Sequence, residues 1–154
     1  MSHTSTVDTV AITSVSALRA AVQALQKSGI RAELVEKAAP RLYYKDQLRR
    51  NGHPSEICDY VVSLADCYYD IGLRKKPNGN LEPLFDAHSG PTPYHTGGRG
   101  TLQQVVGNSD NPIGQFVQEY SKAATIEAAE AQGFSVSDIK WTADGSWAVV
   151  AVKY

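Results

Sequence analysis

Apolar residues recur along this chain with two periods. Val15, Leu18, Val22 and Leu25 fall at helical spacing with Ala21 beside them, which predicts an amphipathic helix over 15–28. Ser14 is its N-cap and Gly29 its stop. A second helical stripe runs through Ile113, Phe116, Val117, Tyr120, Ala124, Ala128 and Ala131. Asn111 would cap it, Pro112 would take the first helical position, and Gly133 would end it. Elsewhere the pattern is that of strands. The β-branched stretch at 6–13 reads as one, the half-alternating 30–36 as another, and the short apolar run 59–65 as a third. Two extended runs surround Asn78-Gly79, a pair that accepts the positive φ angles of a type I′ hairpin. The stretches 134–141 and 146–154 flank a turn at 142–145 and form a second hairpin.

The expected fold is α+β: one mostly antiparallel or mixed sheet of about six to seven strands, with both helices packed on one face. Two helices cannot cover both faces of so large a sheet. The other face is then left to solvent, to the long connections or to a partner. The last strand is apolar on both sides, which places it centrally or under a cover. Two segments break the periodic pattern. One is 39–56, with Pro40, Asn51-Gly52 and Pro54; it is read as a long connection with one helical turn at most. The other is the glycine- and proline-rich 86–107.

Length, 154 residues, points to a single domain, 1–154, able to bury a core of its own. A net charge of -1 supplies no global field to recruit nucleic acid or membrane, so any such binding needs a local patch. No apolar run reaches membrane-spanning length and no signal peptide is evident, which points to a cytoplasmic protein. Cys58 and Cys67 are read as small, partly buried thiols in a reducing compartment.

The N-terminal strand-to-helix pattern after Met1-Ser2-His3, the stretch 58–80 with Tyr69-Asp70-Ile71-Gly72, and the helix-to-strand stretch 113–136 together resemble the hypothetical chloroplast open reading frame thirty-five family of cyanobacteria and plastids. Relatives of that family also occur in tailed phages. The resemblance implies a fold and a plastid-type, cyanobacterial or phage-encoded accessory role, in the plastid stroma or an infected host cell. It implies no activity and no catalytic residues.

Candidate chemistry gathers in the two irregular segments. Arg41, Lys45, Arg49 and Arg50 interleave with Tyr43, Tyr44 and His53, against one acid, Asp46. Cations among aromatics suit a single strand of nucleic acid or an acidic protein surface, and Arg74, Lys75 and Lys76 at the hairpin tip would extend the patch. The second segment carries His88, His95 and Arg99, the last in a glycine frame that could cradle an anion. It lacks the spacing of a phosphate loop or a dinucleotide fingerprint. Two histidines with no third ligand do not make a metal site, so neither metal nor cofactor is expected. Asp70, Asp86 and His88 form an acid–base candidate, with Asp70 otherwise read as a solvent-facing strand residue. No nucleophile elbow is present. Eight tyrosines with Trp141 and Trp147 suit a partner-facing surface.

The expected function is that of a small soluble, non-enzymatic accessory protein that binds protein, self-association included. One alternative is a nucleic-acid-binding module using Arg41–His53. The second is an enzyme centred on Asp86, His88 and His95.

Overall fold

The computed structural model describes residues 4–6, 11–42, 57–86, 100–107, 111–141 and 147–153. The first helical stripe folds as α1, Val15–Lys27, with Ala17, Leu18, Ala21, Val22 and Leu25 buried. Ser14 sits in extended backbone, and its hydroxyl accepts the Ala17 N–H. Gly29 follows at φ 95°, which glycine adopts without strain.

The main sheet has five strands: the three-residue β1 (Thr4–Thr6), which precedes α1, and a meander of four after it, β2 (Ala32–Ala38), β3 (Cys58–Leu64), β4 (Ile71–Lys75) and β5 (Leu81–Asp86). All neighbours are antiparallel, in the order β1-β5-β4-β3-β2. The expected strand at 6–13 survives in part, as β1 and as an isolated bridge from Ile12 to Leu81. The Asn78-Gly79 hairpin forms with a different turn. Gly79 is at φ 88° and its N–H donates to Lys76 O, while Asn78 stays at negative φ. Pro77 and Asn78, both at negative φ, fit the two central positions of a type I turn, and Gly79 takes the left-handed position after it, as in a three-residue hairpin loop closed by a bulge.

Two further helices are α2 (Leu102–Val106) and α3 (Gly114–Ala131). α3 begins two residues later than Asn111-Pro112 predicts. Asn111 caps the preceding turn, its side-chain oxygen accepting the Ile113 N–H at 2.9 Å. One buried cluster joins both long helices to one sheet face. Leu18, Val22 and Leu25 meet Ile113, Phe116 and Tyr120 over Val62, Leu64, Ile71, Leu73 and Phe85. Each fully buried leucine or phenylalanine there contributes roughly 2 kcal/mol. The Tyr120 hydroxyl also accepts from Thr13 N–H (2.9 Å) and Ser14 N–H (3.2 Å), tying α3 to the start of α1.

The single sheet of six to seven strands is not what forms. β6 (Phe134–Trp141) and β7 (Trp147–Lys153) pair only with each other among the described residues, as a separate ribbon packed on α3. The expectation that the last strand lies centrally or under a cover is corrected too. Val150 and Val152 are 57% and 47% exposed. Periodicity shows that a strand is apolar; it does not show which neighbour covers it. α3 half-covers one face of the ribbon, and nothing described covers the other.

The far face of the main sheet has its own small core of Cys58, Val61 and Leu84, covered by Ala38 and Leu42. The chain after β2 crosses this face over Gly72. A Cβ on Gly72 would lie 2.9 Å from both Cys58 Sγ and Pro40 Cγ. Gly72→Ala is expected to destabilise by about 2 kcal/mol through overpacking, measured by urea denaturation. Adding Pro40→Ala should recover much of that loss, and an unchanged double variant would show that the ring is not the obstacle.

Candidate functional site

Both irregular segments are rooted at the turn joining β3 to β4. Asp70, read from sequence as solvent-facing, is 4% exposed. It is a hub. Its carboxylate accepts the Arg41 N–H at 2.8 Å, the Arg41 Nη2 at 2.8 Å, the Arg41 Nε at 3.1 Å and the Leu64 N–H at 3.1 Å. The Arg41 guanidinium also donates to Leu64 O at 2.6 Å, and Asp70 N–H donates to Arg41 O. Hydrogen bonding to Asp70 holds the Arg41 guanidinium above its usual pKa. A buried aspartate at a strand entry is explained by this arrangement: it has acceptor capacity for a backbone and a fork donor at once.

Three residues earlier, Cys67 makes a parallel bridge to Gly100. Gly100 N–H donates to Asp66 O at 2.7 Å, and Tyr68 N–H donates to Gly100 O at 3.1 Å. Thr101 then caps α2 in a full capping box with Gln104. Asp86 ends β5 fully buried, opposite Thr4. The hairpin register, with Gly72 opposite Leu84, brings the Asp70 and Asp86 ends of β4 and β5 to the same end of the sheet.

Of the nine expected binding residues, Arg41 is described, and its Nε and Nη2 turn inward. Tyr43, Tyr44, Lys45, Arg49, Arg50, His88, His95 and Arg99 lie outside the described residues, as do Asp46 and His53. At the proposed hairpin extension, Arg74 donates to Ile57 O at 3.1 Å. The thiols are fully buried rather than partly so, and both are free. Desolvation pushes Cys58 up to about 11 and Cys67 up to about 12, so neither is a thiolate nucleophile at neutral pH. Among the described residues no group of three His, Cys, Asp or Glu is placed to hold a metal ion.

Lys37 stands at φ 51°, in the one gap of the β2–β3 register, between the pairs Glu36–Tyr60 and Ala38–Cys58. Its Nζ reaches Asp59 at 3.1 Å. Asp59 also accepts the Lys75 N–H at 2.7 Å, and that backbone bond, ahead of Lys37, holds its carboxyl below the usual range.

Two exposed apolar surfaces remain. On the outer face of the ribbon, Ala148, Val150 and Val152 of β7 lie beside Ser135, Asp138 and Lys140 of β6. An irregularity between Val136 and Asp138 keeps that facing in phase, with Ser137 donating to Val150 O. Between α1 and α3 runs an open groove of about 350 Å³.

Comparison with known protein families, with curated proteins and with solved structures finds no match. Sequence reasoning missed the Arg41–Asp70 hub, because charge patterning along a chain does not show a pair 29 positions apart. It also missed α2, although Thr101 and Gln104 have the spacing of a capping box. No helix among the described residues is long and apolar enough to cross a membrane.

Proposed function

We propose that this is a non-enzymatic accessory protein that acts by binding protein, and that its first partner is a second copy of itself joined through β7. The observation that carries the reading is the β6–β7 ribbon, with Val150 and Val152 exposed on a strand paired on one side only among the described residues. Charged residues usually guard a free strand edge. β6 has Asp138 and Lys140, whereas β7 has no charge from Trp147 to Val152. Two β7 strands paired antiparallel about a two-fold axis through Val150 would set Ala148 against Val152 of the other copy, an isologous apolar ladder.

Light scattering after size exclusion tests it. The wild-type chain is expected at twice its monomer mass of 16.7 kDa. Val150→Lys with Val152→Lys is expected to give a monomer that keeps the wild-type circular dichroism spectrum, because both positions are exposed in the single chain, and that melts somewhat lower because the stabilisation from association is lost. A wild-type monomer at every concentration, or a double variant that still dimerises, would end this reading.

The resemblance to the plastid, cyanobacterial and phage family is consistent with an accessory role and belongs to the same proposal. The nucleic-acid alternative is favoured by one observation: the described ends of both irregular segments, at Arg41 and Gly100, rest on the same turn, 66–70. If it holds, affinity for a single-stranded oligonucleotide falls steeply with salt. Arg49→Ala with Arg50→Ala should then reduce that slope by about 1.4 in log–log terms. A slope that these changes leave intact would exclude the segment.

A further inference from the structure

The groove between α1 and α3 has a character the ribbon lacks. Its floor is made of small or short apolar residues, Ala20 and Ala24 from α1 and Ala123 and Ile126 from α3. Alanines let a third backbone approach closely, so the trough has the shape that receives another helix. Its rim is charged on one side only. Glu119, Glu127 and Glu130 stand along α3 with a single cation, Lys122, and no acid comes from the α1 side. Glu127 is held in place by the hydroxyls of Ser14 (2.6 Å) and Ser16 (2.5 Å) across the gap. From Glu119 to Glu130 the rim extends about 16 Å, or three helical turns.

The geometry points to this groove as the docking site of a basic amphipathic helix from another protein, with its apolar stripe on the alanines and its cations along the Glu119–Glu130 rim. Charge complementarity selects this occupant. A second copy of the same groove would set three carboxylates against three more, which like-charge repulsion disfavours. The occupant's anchors fall at i, i+3 or i+4, and i+7. Its basic residues follow the spacing of the three glutamates, eight and then three positions apart. The inference goes beyond self-association through β7, on another face and with another class of partner.

The test uses the full-length protein and a short synthetic amphipathic helix with leucines at i, i+4 and i+7 and lysines flanking them. Its twin has glutamates in place of the lysines. Fluorescence anisotropy is expected to show saturable binding of the basic peptide, weakened by salt, and none of the acidic twin. Glu119→Gln with Glu130→Gln removes two rim charges and should weaken binding about tenfold. Ala20→Arg, at an exposed position with good helix propensity, should abolish it while the circular dichroism melt is kept. Binding should persist in Val150→Lys/Val152→Lys, which separates this outcome from that of the ribbon. Equal binding of both peptides overturns the proposal. So does binding that neither the rim nor the Ala20 change affects, or no binding of the basic peptide.

Discussion

Asp70→Ala is expected to lower the unfolding free energy by about 3 kcal/mol, the range for removing one partner of a buried, hydrogen-bonded ion pair. The carboxylate is almost wholly buried, and four donors converge on it: the Arg41 N–H, the Arg41 Nε and Nη2, and the Leu64 N–H. Deleting it leaves the Leu64 amide in a buried strand without its side-chain acceptor, and an unsatisfied buried donor carries its full desolvation penalty. The guanidinium suffers less, since 37% of its side chain is exposed and water can reach it. Two consequences separate this account from a general loss of packing. Asp70→Asn keeps one acceptor oxygen and should be milder. Arg41→Ala combined with Asp70→Ala should cost less than the sum of the two single changes, because both report one interaction. Urea denaturation of the four proteins closes the cycle. Strict additivity would mean that the pair does not act as a unit.

Phe116→Ala is expected to be the more damaging change, about 4 kcal/mol, or roughly 10 °C in melting temperature. Phe116 is fully buried near the start of α3, in the cluster that joins both long helices to the sheet. Truncating the ring leaves a cavity that α1 and the sheet, held by their own hydrogen bonds, fill only in part. Phe116→Leu, which keeps most of the volume, should lose less than half as much. Since a domain of this size is stabilised by roughly 5–15 kcal/mol in all, the alanine variant should be partly unfolded at elevated temperature. A loss below 1 kcal/mol, by calorimetry or denaturant, would contradict the placement of α3 described above.

The long-range plan of the chain was legible where a strong local period met a strong stop. α1 falls within one residue of its predicted span, because Ser14 and Gly29 bracket a full apolar stripe. β3, β6 and β7 lie close to their apolar runs, and the α+β class follows from them. The sheet count was not legible. β7 is apolar on both faces, a pattern that fits a central strand and a strand of a two-stranded ribbon packed on α3 equally well. The lower half of α3 misled for a related reason. Ala128 and Ala131 continue the stripe yet are exposed, since alanine fits a helix surface as readily as a core. The Asn78-Gly79 hairpin was found and its turn type was not, because the turn begins one residue earlier, with Pro77 at its first central position and Asn78 at negative φ. At the candidate site, Arg41 was picked out for its charge, and the structure shows that charge serving Asp70. The cations and aromatics that follow it lie outside the described residues, so their role rests on sequence.

The sheet's own edge has a consequence for how the chain folds. β2 to β5 are joined in order, each to the next, whereas β1 pairs with β5 across the whole intervening stretch, Thr4 opposite Asp86. Contacts so far apart are entropically expensive to close before anything else is in place. The first strand of the chain is therefore expected to be laid down last, and its amides should be among the first to exchange with deuterium.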